Sequence, residues 1–285
     1  MAELIRTVKS GSEWSNNELL AYRIVFKPIS PIQFFSESSP NPSLDHLDQA
    51  LLTAAPGTID TQLSNETIKY LSYLDFATTS DLRLEGGFID GFARETLYLL
   101  GFAGHYSVIH NRHAIPLTIC GRTDQTAETN ACIVHLPNLV LLVLATDDSA
   151  SEGSNAEAQV VAGAVAAFQS NNHERESLNL APLEVMTIPC ITLSGTCPTF
   201  YLVPVTRSLS HAVATGQYPS TQTDVFKCVT SLSDNAGSSQ CHASDSIGMG
   251  NTEYRKHALQ RFLAFKTLAQ SHWNNILQGV LDALQ

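Results

Sequence analysis

Leu139 to Ala145 reads LVLLVLA, seven apolar residues with no polar interruption. A strand with one wet face alternates apolar and polar side chains, so an unbroken run predicts a strand covered on both faces. A second apolar run, Ala131 to Leu136, precedes it, with the turn signal Pro137-Asn138 between. Together they predict a β-hairpin. After Ala145 come Thr146-Asp147-Asp148-Ser149, a Ser/Gly-rich connection and a helical pattern from Asn155 to Asn172. In that helix Val160, Val161, Ala164, Val165 and Phe168 make an apolar face, and Ala162, Gly163, Ala166 and Ala167 permit close packing on a sheet. Asp147 and Asp148 therefore stand where a buried strand emerges, a common position for chemistry in α/β sheets.

A core needs apolar material, and 44% of the 285 residues supply it against 15% charged. That argues against global disorder. The expectation is one α/β domain over 1–285, with an N-terminal extension (19–80), a core (86–219), a mobile loop (231–251) and a C-terminal helix (252–284). With 16 basic against 27 acidic residues the net charge is −11. Such a chain is poorly suited to neutralising nucleic-acid phosphates or to docking on an anionic membrane. No apolar stretch approaches the about 20 residues of a membrane helix. The start, MAELIRTVKSGSEW, lacks the apolar segment of a secretory signal. None of the six cysteines forms a CxxC pair, and Cys228 and Cys241 flank a loop across which they would bridge if oxidised. These features predict an intracellular, cytoplasmic protein with reduced thiols.

Taken in order, residues 1–18 are polar and read as frayed. Leu19 to Lys27 reads as a strand, and the proline- and serine-rich stretch to Pro42 as a loop. Helices are expected from Ser43 to Thr53, from Ser64 to Ala77 and from Gly87 to Phe102. Tyr106–Ile109 and Ile115–Cys120 read as two strands with a turn at Asn111-Arg112-His113, and Gly121–Thr129 as a polar turn region. Asn171 to Pro182 reads as a charged connector. Val185–Leu193 and Thr199–Val205 follow as strands, and Leu209–Ala214 as a short helix. The last helix, Thr252 to Leu284, carries a wide apolar stripe of Tyr254, Leu259, Phe262, Phe265, Leu268, Trp273, Ile276, Leu277 and Leu281. That stripe must bury against the parent sheet or against a second subunit.

The order helix, three strands, helix, strand is similar to the PD-(D/E)XK nuclease fold, which implies a mixed sheet with a restriction-endonuclease-like core. Such enzymes hold a divalent metal between an acid near one strand and a Glu-x-Lys on the next, with the Lys positioning water. More closely, four blocks resemble a group of uncharacterised proteins from mushroom-forming fungi. They are GFIDGFARETLYLLGF (Gly87–Phe102), AEAQVVAGAVAAFQSNN (Ala156–Asn172), IPCITLSGTCPTFYLVPVT (Ile188–Thr206) and HAVATGQYP (His211–Pro219).

The nuclease resemblance places the first metal-binding acid on Asn130, the Glu on Thr146 and its Lys on Asp148. The helix Gln is retained as Gln159, and Glu95 offers an acid on the preceding helix. A neutral Asn and Thr do not replace two carboxylates around Mg²⁺, and Asp148 in place of Lys repels a phosphate. The resemblance thus implies a vestigial site. A surviving nuclease would need Mg²⁺ or Mn²⁺ in an unorthodox cage of Asp147, Asp148, Asp124, Glu128 and Glu95.

Other constellations carry less. His105, His110, His113 and His135 lie close in sequence without a recurring ligand spacing. Gly86-Gly87 before a helix has no phosphate-loop pattern. Ser194-Gly195-Thr196-Cys197 lacks G-x-S-x-G. Glu152 and Glu157 suit a helix start. Three functions follow as expectations. The first is a non-catalytic protein holding a small molecule or protein partner in the former active-site cleft. The second is a metal-dependent nuclease with a rearranged acidic site. The third is a homodimer built through the C-terminal stripe.

Overall fold

Seven strands hydrogen-bond into one mixed sheet, and the unbroken apolar run lies inside it. The computed structural model describes residues 7–35, 40–60, 62–79, 87–147, 155–231 and 248–284. The strands are β1 (Ile24–Pro28), β2 (Ser107–Ile119), β3 (Arg122–His135), β4 (Leu139–Asp147), β5 (Val185–Ser194), β6 (Cys197–Thr206) and β7 (Thr223–Val229). Across the sheet they run β1-β7-β6-β5-β4-β3-β2. Strands β2, β3 and β4 form an antiparallel meander, β5 lies parallel to β4, and β5, β6 and β7 are again antiparallel. β1 closes the far edge parallel to β7.

The helices are α1 (Asn16–Ala21), α2 (Pro31–Phe34), α3 (Gln49–Thr53), α4 (Asn65–Thr78), α5 (Phe88–Leu99), α6 (Ala156–Ser177), α7 (Arg207–Thr215) and α8 (Thr252–Leu277). The parallel step from β4 to β5 uses α6 as its crossover, as parallel pairing requires. Phe200 packs against Phe262 and Phe265 of α8, whereas its neighbour Tyr201 bonds Glu157 of α6. Adjacent strand residues point to opposite faces, so α6 and α8 cover opposite sides of the sheet. That double cover is why β4 is apolar throughout, with every residue from Leu139 to Ala145 buried.

The small residues of α6 let it approach closely. A Cβ built on Gly163 would lie 2.8 Å from Cγ1 of Val143 on β4. Val143 is β-branched and held in a central strand, so it cannot swing away. Gly163→Ala gains the usual helix preference of about 0.5–1 kcal/mol but overpacks the interface at about 1–3 kcal/mol. The expected net result is a loss of stability of about 1–2 kcal/mol in urea unfolding, against the ordinary stabilising sign of Gly→Ala in a helix.

Three amides of α6 tie the sheet together. The register shifts between Ile133 and Val134, leaving Leu141 outside the pairs formed with β3. There Asn171 accepts from Val140 N and donates to Val140 O, and the Trp273 indole of α8 donates to the Leu141 carbonyl. Gln169 makes the same two-bond clasp on Thr118 of β2, and Asn172 makes it on Leu183 ahead of β5. Each clasp satisfies a donor and an acceptor that would otherwise be unpaired. The β2 edge is blunted by Pro116 and by the left-handed backbone of Arg112 within the strand.

Several boundaries differ from expectation for local reasons. Leu19–Lys27 is not one strand: Ser15 caps α1 and Glu18 completes a capping box, so the strand begins only at Ile24. Residues 7–18 are not frayed as a whole, since Trp14 is fully buried and stacks on Tyr22. Ser43 bonds Asp45 N rather than starting a helix, and α3 begins later under an Asp48 cap. Asn111-Arg112-His113 is no turn but part of one long β2, and β3 takes up most of Gly121–Thr129. Both strands meet at the tight Cys120-Gly121 turn, where φ is 50° and 77°. Helix α6 runs on to Ser177 through the expected connector, and the last long helix stops at Leu277 before left-handed Gly279. Strand β7 was not expected, and β1 with β7 carries the sheet beyond 86–219. Most of the 231–251 loop and Cys241 lie outside the described residues. Cys228 is a buried cysteine outside any disulfide rather than a bridge partner, and Cys197 is disulfide-bonded, against the expectation of reduced thiols.

The apolar stripe of α8 finds its cover inside the chain. Tyr254, Leu259, Phe262, Phe265, Leu268, Trp273 and Ile276 are buried in one core cluster that extends back to Trp14, and Leu277 is half-buried against it, whereas Leu281, beyond the end of α8, is exposed. No helix among the described residues is long and apolar enough to cross a membrane.

Candidate functional site

The strand ends that carry Asn130 and Thr146 lie side by side, and a third residue joins them. Asp90, in the first turn of α5, accepts through Oδ1 from Asn130 Nδ2 at 3.0 Å and from the Thr146 hydroxyl at 2.5 Å. The Asn130 carboxamide oxygen in turn accepts from Thr146 N at 3.0 Å. The result is a three-residue ring of hydrogen bonds at the carboxyl end of β4. Each polar group in it is half-buried, and each is matched with a donor or acceptor.

A cleft of about 480 Å³ opens beside this ring. Asp90 and Asn130 line it together with Tyr73 of α4, Arg94 of α5, and Asn111 and Arg112 of β2. A second cleft of about 590 Å³ shares Arg94 and Asn111 and continues to Lys69, Glu95 and Tyr98. Gly91 shapes the boundary between α4 and α5: a Cβ there would sit 2.8 Å from the Tyr73 ring. The Tyr73 hydroxyl accepts from Arg94 at 3.2 Å, and its ring lies under both the Arg94 and the Lys69 cations.

The other predicted residues are distributed elsewhere. Glu95 pairs with Lys69 at 2.7 Å and Arg94 at 3.2 Å, in the second cleft, and does not touch the strand ends. Gln159 donates to the Ser12 carbonyl at 3.2 Å, toward the N-terminal segment. Asp124 is exposed and clamped by Arg122, which pulls its carboxyl down to about 2. Glu128 is exposed on β3. Asp147 ends β4 half-buried, and Asp148 lies outside the described residues. Among the described residues no three His, Cys, Asp or Glu side chains gather closely enough to hold a metal ion. The histidines form looser contacts: His110 and His113 rings are 4.8 Å apart, and burial pushes the His113 imidazole below its ordinary pKa.

On the α6 face, Glu157 is not a solvated helix start. It accepts from the buried Tyr201 hydroxyl at 2.9 Å and pairs with Lys227 at 2.5 Å. Burial raises the Tyr201 phenol well above its ordinary pKa, so this hydroxyl is a fixed donor.

Asp90 and Arg112, like Tyr73 and Arg94, are members of the site that sequence patterns did not single out. An acid in a first helical turn reads as a partner of the helix dipole, and Arg112 reads as part of a turn. No family model matches the sequence, and no curated protein matches it.

Proposed function

We propose that the chain is a non-catalytic binding protein on a nuclease-like core, and that a small molecule occupies the cleft beside Asp90, Asn130 and Thr146. The order α5, antiparallel β2–β3–β4, crossover α6, parallel β5 supports the nuclease-like core and, with it, the kinship to the fungal proteins. One observation carries the binding reading: the positions where a nuclease grips its metal hold Asn130 and Thr146, and their polar atoms bond one another and Asp90. A hard cation favours anionic oxygens. Here a single carboxylate faces two neutral groups while an open cleft persists next to it.

Asn111 is exposed and lines both halves of the cleft, so it can be enlarged without disturbing the core. The full chain, incubated with a small-molecule extract and examined by native mass spectrometry, is expected to retain a bound mass that Asn111→Trp loses. An identical adduct on the Trp variant would move the site elsewhere. No adduct on the unaltered chain would remove the binding reading.

A further inference from the structure

We infer that the cleft takes its ligand by an oxyanion, a carboxylate or phosphate group gripped at the Arg112 end with Arg94 beside it. This rests on the binding reading above and adds the chemistry of the ligand.

The charge of the cleft points that way. At the Asp90 end the charged lining is two arginines against one aspartate, and the other half adds Lys69 against Glu66 and Glu95; Glu95 pairs with both Lys69 and Arg94, so among the described residues Arg112 is the cation left to a ligand. The aspartate is already engaged, with Asp90 Oδ1 accepting from Asn130 and Thr146. Arg94 gives Nη2 to Tyr73 and Glu95, and its guanidinium has further N–H groups to offer. Arg112 has no ion pair or side-chain hydrogen bond among the described residues, although it lines a cavity. A guanidinium carries five donors in a planar fork that matches carboxylate and phosphate oxygens.

The backbone is committed to this placement. Arg112 is one of four non-glycine residues with a left-handed backbone among the described residues, at φ 46°. For an L residue that conformation is unfavourable, and here it interrupts an edge strand between the pairs Asn111↔Ala131 and His113↔Thr129. It brings Nη2 over Gly87, within 4.0 Å of the position a Cβ would take. Gly87 caps α5 with no side-chain bond, so the first N–H groups of that helix face the same region. A cation beside the positive end of a helix is an unfavourable pair, and an anion between them reverses the sign of both interactions. Neither the helix end nor an exposed arginine says this alone. The strained residue, the cavity and the unengaged Arg112 guanidinium agree on it.

The test exploits the strain. Melting of the full chain is followed in inorganic phosphate and in succinate, with chloride at equal ionic strength as reference, alongside NMR of the arginine Nε–H signals. One of the two oxyanions is expected to raise the melting temperature saturably and to shift the Arg112 signal; which one does so separates a phosphate from a carboxylate ligand. Arg112→Gly relieves the left-handed strain, so its melting temperature without anion should equal or exceed the parent's. Its apparent affinity should fall at least about 10-fold, the worth of about 1.4 kcal/mol of lost charge-assisted bonding. Arg112→Lys should fall between the two. An equal anion response in the parent and in Arg112→Gly would overturn the inference, as would no response of the parent to either anion. In the latter case the Asn111→Trp comparison still reports whether the cleft holds a neutral molecule.

Discussion

Arg255→Met is expected to lower the unfolding free energy by about 3–5 kcal/mol, since hydrogen bonds to a charged group contribute about 1.5–3 kcal/mol each and add incompletely. Arg255 is fully buried at the start of α8. Its Nε donates to the Met249 carbonyl at 2.8 Å, and Nη1 donates to Leu51 and Ala54 at 2.9 and 2.8 Å. Nη2 reaches Gly250 at 3.4 Å. No carboxylate accepts any of these bonds. Among the described residues the cation is held by backbone carbonyls, and burial lowers its pKa from the ordinary arginine value. Methionine fills the space but strands the end of α3 and the turn before α8 without donors. Arg255→Lys retains a charge yet cannot spread donors over a fork, so an intermediate loss is expected. Urea unfolding of the three proteins checks the order. A methionine variant within about 1 kcal/mol of the parent would mean that water replaces the guanidinium, contrary to its burial.

The apolar logic of the fold was legible because it is periodic. LVLLVLA read as a strand covered on both faces, and the alanine-rich face after Asn155 as a helix able to lie close on a sheet, and both are found. The β2–β3 hairpin was not legible, because its outer half projects with polar residues such as Arg122–Asp124 exposed and thus lacks a buried pattern. Asn111-Arg112-His113 mimicked a turn because a left-handed residue inside a strand carries the same composition as a loop. Strand β7 is short, and its placement beside β1 depends on pairing across about 200 residues, which local patterns cannot express. The site shows the same division. Asn130 and Thr146 were reached through the nuclease resemblance, which put its metal-binding acids at those two positions. Asp90 was missed in favour of Glu95, five positions further along the same helix. Five residues turn an α-helix through about 140° beyond a full circle, so the two acids cannot face the same strand ends. Which one does is decided by how α5 docks, with Phe92 and Leu97 buried and Glu95 drawn to Lys69.

Placing carboxylates at the strand ends should therefore change the protein more than any substitution in the cleft. Asn130→Asp with Thr146→Glu replaces two groups that donate to Asp90 by two that repel it. In metal-free buffer the double variant is expected to lose about 3–5 kcal/mol, from two charge-assisted bonds at about 1.5–3 kcal/mol each and from like charges at contact distance. A divalent ion bound among three carboxylates inverts that balance. Mg²⁺ or Mn²⁺ at about 100 times its dissociation constant should return about 2.7 kcal/mol, while the unaltered chain, with one carboxylate there, should show no comparable gain. Calorimetric melting with and without metal measures both arms. If the double variant regains nothing, the strand ends do not have the geometry of a metal-binding core and the nuclease-like reading fails. If the unaltered chain gains as much as the variant and cleaves DNA or RNA in Mg²⁺ or Mn²⁺, the acids that serve it lie beyond Asn130 and Thr146, and the protein is an enzyme rather than a binder. The discriminating quantity is the difference between the two metal-induced shifts, because it depends on the carboxylates added at the strand ends.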